Sequence, residues 1–307
     1  MLATALFGLS LLAGAPQDVP GQPTPPAQDD PATTVDDVVV VGRTIEEQAR
    51  AYVETLTAAP GRSRLARWRS TVCVGVTGLD AAYAQFLVDR VSAVAASVGL
   101  DPGDPGCRAD VLIAFTRDPD ALAQRWVARD REVFQPYAYN QGQLGSEALE
   151  RFQSSDAPVR WWHIAYTANA QSGLRITRLR GEEGYPVNQL NTPSLIQSAS
   201  REQLLNTIVI VDANQIGPVS FGSLSDYLAL LSLTQADPEA ETAGFDTVLN
   251  LFSTQPTARL SAWDIDYLQA LYRTGSNPAR AGLQGRQIAR GLANRRTEAA
   301  AVAPSAQ

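Results

Sequence analysis

The 307-residue chain has one histidine, His163, and two cysteines, Cys73 and Cys107. A metal site built on histidine needs two or three of them, and a tied pair of cysteines cannot make up the number, so no metal site and no cofactor is expected. No stretch beyond the first dozen residues approaches the run of about 18 apolar residues that a membrane-spanning helix requires. Basic side chains are outnumbered by acidic ones, 25 to 32, for a net charge of −7. A duplex-binding protein carries a basic footprint, so nucleic acid is excluded as an expected partner. There is no nucleophile elbow for His163 to serve. Nor is there a phosphate-binding loop: Gly75-Val76-Thr77-Gly78 ends a strand, but no Lys-Ser or Lys-Thr follows it.

What is present begins at the N-terminus. Leu2 to Leu12 is apolar and leads into Ala13-Gly14-Ala15. The run is too short to span a bilayer and reads as a signal peptide over residues 1–15, although no Lys or Arg precedes it. Residues 16–43 are expected to be a Pro-rich disordered linker, residues 44–284 a single domain, and residues 285–307, rich in Arg and then Ala, a disordered tail. An even cysteine count suits an oxidising compartment, so a Cys73–Cys107 disulfide and a periplasmic or secreted location are expected; two buried free thiols are the alternative.

Within the domain, Thr71 to Val76 reads as a buried strand. Tyr83, Phe86, Leu87, Val91, Val94, Ala95 and Val98 then recur at helical spacing, between Asp80 as N-cap and Gly99 as stop. Val111 to Phe115 is a second strand, and Asp118-Pro119 opens another helix. Strand, helix, strand at this spacing predicts parallel pairing through a crossover. Trp161 to Thr167 and Thr207 to Val211 read as further strands. A polar stretch over 169–200 separates them, with a possible edge strand near Leu174 to Leu179. Helices over about Ser223 to Gln235 and Ser261 to Tyr272 close the domain. The fold class is α+β, α/β-like in its three layers. Asp226, Asp264 and Asp266 read as capping or solvated groups, His163 as a structural residue paired with a backbone carbonyl, and the scattered Trp and Tyr residues mostly as core.

The last third carries a family pattern. Gly222-Ser223-Leu224-Ser225-Asp226-Tyr227-Leu228-Ala229-Leu230-Leu231 is followed by Phe245-Asp246-Thr247-Val248-Leu249-Asn250, then by Leu260-Ser261-Ala262-Trp263-Asp264-Ile265-Asp266-Tyr267-Leu268-Gln269-Ala270-Leu271-Tyr272. It resembles the end of a matrixin-like zincin metallopeptidase, which reads His-Glu-x-x-His-x-Leu-Gly-Leu, then a Ser-Ile-Met turn, then Leu-Thr-x-x-Asp-Ile-x-x-Ile-x-x-Leu-Tyr. Residues 68–120 are similar to secreted proteobacterial proteins of unknown function. The resemblance implies a zincin-like domain with a mixed sheet, a crossover helix and two C-terminal helices. It puts Ser225 at the first zinc-histidine position, Asp226 at that of the catalytic glutamate, Ala229 at the second histidine and Leu249 at the turn methionine. Two protein ligands are thereby lost, and with them the zinc-activated water. The function implied is a non-catalytic binding or scaffold protein of the cell envelope with an unknown protein or peptide partner. A carboxylate-dependent hydrolase using the same cleft is the alternative. Thr34 to Arg43, with Val38 to Val41 at its centre, resembles the TonB box of outer-membrane receptors, which implies an accessory role in outer-membrane transport; a first strand or linker anchor is the alternative.

Overall fold

The threonine at position 44 starts the first helix, α1 (Ile45–Leu56). Its side chain accepts from the Glu47 N–H, and the Glu47 carboxylate accepts from the Thr44 N–H. This reciprocal pair satisfies two donors that a helix start leaves orphaned. Ala49, Tyr52, Val53 and Leu56 form the buried stripe of α1. The structure is a computed structural model describing residues 43–58, 64–134, 144–176, 197–275 and 277–302, all within one unit that begins at Arg43. The expected signal peptide, the linker up to residue 42 and the Val38–Val41 segment lie outside the described residues.

The expected first strand is divided at Cys73 into β1 (Thr71–Val72) and β2 (Val74–Thr77). Next, α2 (Ala81–Ser97) crosses over and ends at Gly99, whose φ of 84° is cheap only for glycine. Asp80 precedes α2 with extended backbone but makes no side-chain cap. A short β3 (Asp101–Pro102) pairs with β1, and β4 (Val111–Thr116) lies parallel to β2. Then come α3 (Pro119–Arg129), capped by the Asp118 side chain, α4 (Arg131–Phe134) and α5 (Ser146–Gln153). The third and fourth strands are longer than expected: β5 (Val159–Asn169) and β6 (Ser200–Asp212). At the end of β5 the chain turns back, with Ile176 N–H donating to the Thr167 carbonyl; beyond 176 the expected edge strand is outside the described residues. The sheet order is β2-β4-β6-β5, parallel except for β5, which runs antiparallel to β6 at the edge.

Alternation along the strands assigns each side chain to a layer. Trp161 is paired across the ladder with Val209, and Val209 with Ile113. These three face Leu87 and Val91 of α2 and the helix α6 (Phe221–Leu233). Trp162, Ile164 and Ile210 face the other way, onto Ala123, Val127, Leu149 and Phe152 of α3 and α5. The domain is therefore an α+β fold with helices on both sides of a mixed sheet. After α6 come a 3-10 turn (Val248–Phe252), α7 (Ala262–Arg273) and one further helix.

Residues 285–302 depart from expectation. In place of a disordered tail they continue α8 (Ala281–Val302), which buries Ile288, Ala289, Leu292 and Ala293 against α1 and α7. The Arg- and Ala-rich composition masks the four-residue spacing of Ile288 and Leu292, which places them on one face.

Cys73 and Cys107 are disulfide-bonded, with Cα atoms 6.1 Å apart. The bond joins the gap between β1 and β2 to the loop before β4. A Cβ at Gly103 would stand 2.6 Å from Cys107 Sγ, so only glycine passes the disulfide here. Among the described residues, no helix is long and apolar enough to cross a membrane.

Candidate functional site

Ser220 caps α6 through the Ser223 N–H, and every residue from Ser223 to Leu233 is buried. A helix apolar on all sides belongs inside a protein rather than on its surface, and α6 is the central element of the main core. Its few polar groups are turned inward on local partners. Ser225 Oγ donates to the Phe221 carbonyl at 2.7 Å, and Ser232 Oγ to that of Leu228 at 2.6 Å. Asp226 forms an ion pair with Arg90 of α2 and accepts from the Leu260 N–H at 3.1 Å. Ala229 is wholly buried. Leu249 lies in the 3-10 turn, half-buried against both the main core and the α1–α7–α8 core.

These are the four positions that the sequence pattern singles out. The structure brings their segments together: the Tyr227 ring meets Phe252 of the 3-10 turn edge-on at 5.3 Å, and Asp226 reaches the chain just before α7. The residues do not fit zinc. At the two positions that the resemblance would give to zinc histidines stand a hydroxyl bonded back to its own helix and a methyl group, and the carboxylate between them is held by Arg90. Among the described residues no three His, Cys, Asp or Glu side chains converge. His163 lies on β5 with Nε2 3.0 Å from the Leu231 carbonyl of α6. Burial, partly offset by that hydrogen bond, pushes its pKa down to about 4, so it is a neutral structural group at neutral pH.

Asp264 is a cap, as expected, completing a capping box with Ser261, but it is not solvated. It is fully buried and accepts from four donors: the Ser261 and Val248 N–H groups, the Tyr52 hydroxyl and the Thr247 hydroxyl. Burial raises its carboxyl above the ordinary range despite those bonds. Asp266 pairs with Arg296 of α8 at 3.3 Å.

No protein-family model, curated protein or solved structure matches this chain. What the site can do therefore rests on its own geometry. Beside these segments lies an open cleft of about 610 Å³, bounded by α5, the first residues of β5, the stretch 237–243 and the 3-10 turn. Phe152, Trp161, Tyr227, Leu249, Asn250 and Phe252 are among its lining residues. Its walls are fixed. Trp161 Nε1 donates to the Ala236 carbonyl at 3.1 Å, and the Asn250 amide donates to the Thr242 and Phe245 carbonyls at 3.1 and 2.7 Å. Arg151 and Glu239 form an exposed ion pair, 2.8 Å apart, on the rim. Asp226 does not line the cleft. Phe152, Trp161 and Tyr227 are buried core side chains, as the sequence reading has them, and they also back this cleft; the apolar helix carrying Tyr227 is the one sequence signal that leads to it.

Proposed function

We propose that this chain is a non-catalytic binding or scaffold protein of the periplasm or cell surface, built on a zincin-like fold that has lost its metal ligands. Its cleft takes an extended segment of a partner protein. The carrying observation is the cleft itself: apolar and aromatic along its floor, polar at its rim, and bordered by the outer strand of the sheet. Such a strand offers a row of backbone groups to a peptide, while alternate side chains of the peptide drop into the adjoining hollow. The acidic groups near the cleft do not favour the hydrolase reading. The motif carboxylate, Asp226, is committed to Arg90 and sits elsewhere; of the three carboxylates that line the cleft, Glu239 is paired with Arg151, Asp237 accepts from the Glu239 N–H at 2.9 Å, and Glu241 is exposed. The Cys73–Cys107 disulfide supports an oxidising compartment.

The test is selection of peptides from a random library on the mature protein, followed by affinity measurements on Leu249→Glu and Ser253→Trp. Weakening of at least about tenfold in both variants, with the peptides left intact, is the expected result. Binding indifferent to both substitutions, or cleavage of the peptides, overturns the reading.

A further inference from the structure

The chain has no lysine; all 25 of its basic residues are arginine. Three of them meet beside the turn that ends β5, away from the cleft. Arg67 and Arg69 come from the extended segment before β1. That segment runs along β6, with the Leu204 N–H donating to the Arg67 carbonyl at 3.1 Å. Arg201 comes from the start of β6. The closeness of Arg69 and Arg201 shows at Gly173, where a Cβ would fall 2.2 Å from Arg69 Nη1 and 3.2 Å from Arg201 Nη2.

None of the ion pairs among the described residues involves these three arginines. The one acidic side chain in the hollow they line, Glu202, is already engaged, by Arg64 at 3.6 Å and the Thr167 hydroxyl at 3.0 Å. The arginines reach only neutral acceptors: Arg67 the Leu271 carbonyl, Arg69 the Ser172 carbonyl at 3.5 Å, and Arg201 the Gln203 side-chain oxygen at 2.8 Å with that amide oriented to suit both its neighbours. Burial first, and then the neighbouring Arg69, lowers the pKa of Arg201; burial, together with Arg201, lowers that of Arg67. Among the described residues, like charges are therefore gathered with no ion-pair partner, in a chain whose net charge is −7. The hollow is small, about 40 Å³, which is room for a few water-sized groups and so for an oxyanion head.

We propose that Arg69 and Arg201, backed by Arg67, form a binding site for a phosphate-type oxyanion group. Guanidinium forks match such oxygens in pairs, and two forks that form no ion pair among the described residues suit a doubly charged head. The group can come from a free phosphate or from a lipid headgroup. This site is independent of the cleft and of the function proposed above.

The experiment uses the full chain and two probes. One is inorganic phosphate, followed by calorimetric titration and by the rise it produces in melting temperature. The other is vesicles of phosphatidylglycerol in phosphatidylcholine, followed by co-sedimentation. The variants are Arg69→Gln, Arg201→Gln and both together, with the exposed Arg129→Gln as control. The expected result is saturable binding to at least one probe, weakened at least about tenfold in the double variant and unchanged in the control. Phosphate binding identifies a free anion, and binding to vesicles alone identifies a headgroup. Should the double variant fail to fold, the exposed Arg69→Gln alone carries the test. Absence of saturable binding to both probes, or binding that survives the substitutions, overturns the proposal.

Discussion

The Tyr52 hydroxyl donates to Oδ1 of Asp264 at 2.6 Å, across 212 residues of chain. Through this bond α1 is tied to α7, and through the Thr247 hydroxyl and the Val248 N–H the same carboxylate holds the 3-10 turn. One buried acid therefore fixes the segment that carries Leu249, on the wall of the cleft. Asp264→Ala strands four donors in the interior and should cost about 3–5 kcal/mol, whereas Tyr52→Phe removes one charge-assisted bond and should cost about 2 kcal/mol. Urea unfolding of the two variants checks the order. Equal costs would mean that the carboxylate is not the hub.

The disulfide closes a loop with a sequence separation of 34. Chain-entropy arguments put its contribution at roughly 4 kcal/mol, exerted on the unfolded state. The Cys73→Ser/Cys107→Ser double variant should fold to the same structure but melt well below the parent. Melting with and without reductant measures this. A parent protein indifferent to reductant, with a variant as stable as the parent, contradicts it.

The elements that were legible in the sequence are those whose apolar spacing is uninterrupted: α2, β4, α6 and α7 each begin or end within a few residues of where the pattern puts them. The three-layer α+β arrangement follows from them. The misses have physical causes. The Thr44-x-x-Glu47 capping box stands directly after a low-complexity stretch, and the helix it opens mixes charged and apolar residues, so composition alone does not separate it from the linker. The last helix is hidden by composition, because only Ile288 and Leu292 among its buried residues are large and apolar. At the candidate site, Ser225, Asp226 and Ala229 lie within α6 and do not line the cleft; Leu249 does, together with Phe152, Trp161 and Asn250 from three distant stretches of chain. No spacing rule connects these. Asp264 caps its helix as the sequence implies, but its burial is not legible, because an N3 carboxylate looks the same in sequence whether its helix start faces water or the core.

His163 gives a pH dependence with a definite sign. Its pKa is lowered from 6.5 to about 4 by burial. The unfolded chain takes up a proton below about pH 6.5 and the folded chain does not until about pH 4, so stability is full above that window and is lost as the pH falls through it, by roughly 3 kcal/mol. Asp264 and Glu202, whose carboxyls burial raises, act in the opposite sense on acidification. The comparison that isolates the histidine is with His163→Gln, whose amide can still donate to the Leu231 carbonyl. Denaturant midpoints from pH 7 to pH 4 should fall more steeply for the parent than for the variant. Parallel curves would remove His163 from the acid response.

The sharpest contrast between composition and structure is at Leu292. Read as part of an Arg- and Ala-rich tail, it would be a solvated side chain, and its truncation would change stability by no more than about 0.5 kcal/mol. In the folded chain it is wholly buried with Ile288 against Tyr52, Tyr267 and Leu271. Leu292→Ala should then cost about 2–5 kcal/mol, the range for a methyl-rich side chain removed from a packed interior. Arg296→Ala provides a second measure, since that side chain lies over the Trp263 ring, 5.3 Å from its centroid, and pairs with Asp266. Part of the pair is open to solvent, so its removal should cost no more than about 1 kcal/mol. Removing α8 altogether would uncover the apolar faces of α1 and α7 and with them the Tyr52–Asp264 bond. A chain ending at residue 280 should accordingly lose its cooperative unfolding transition and expose enough apolar surface to bind a hydrophobic dye. If instead Leu292→Ala is neutral and the shortened chain unfolds like the parent, α8 is a tail that happens to be helical, and the α1–α7 pair must find its stability elsewhere.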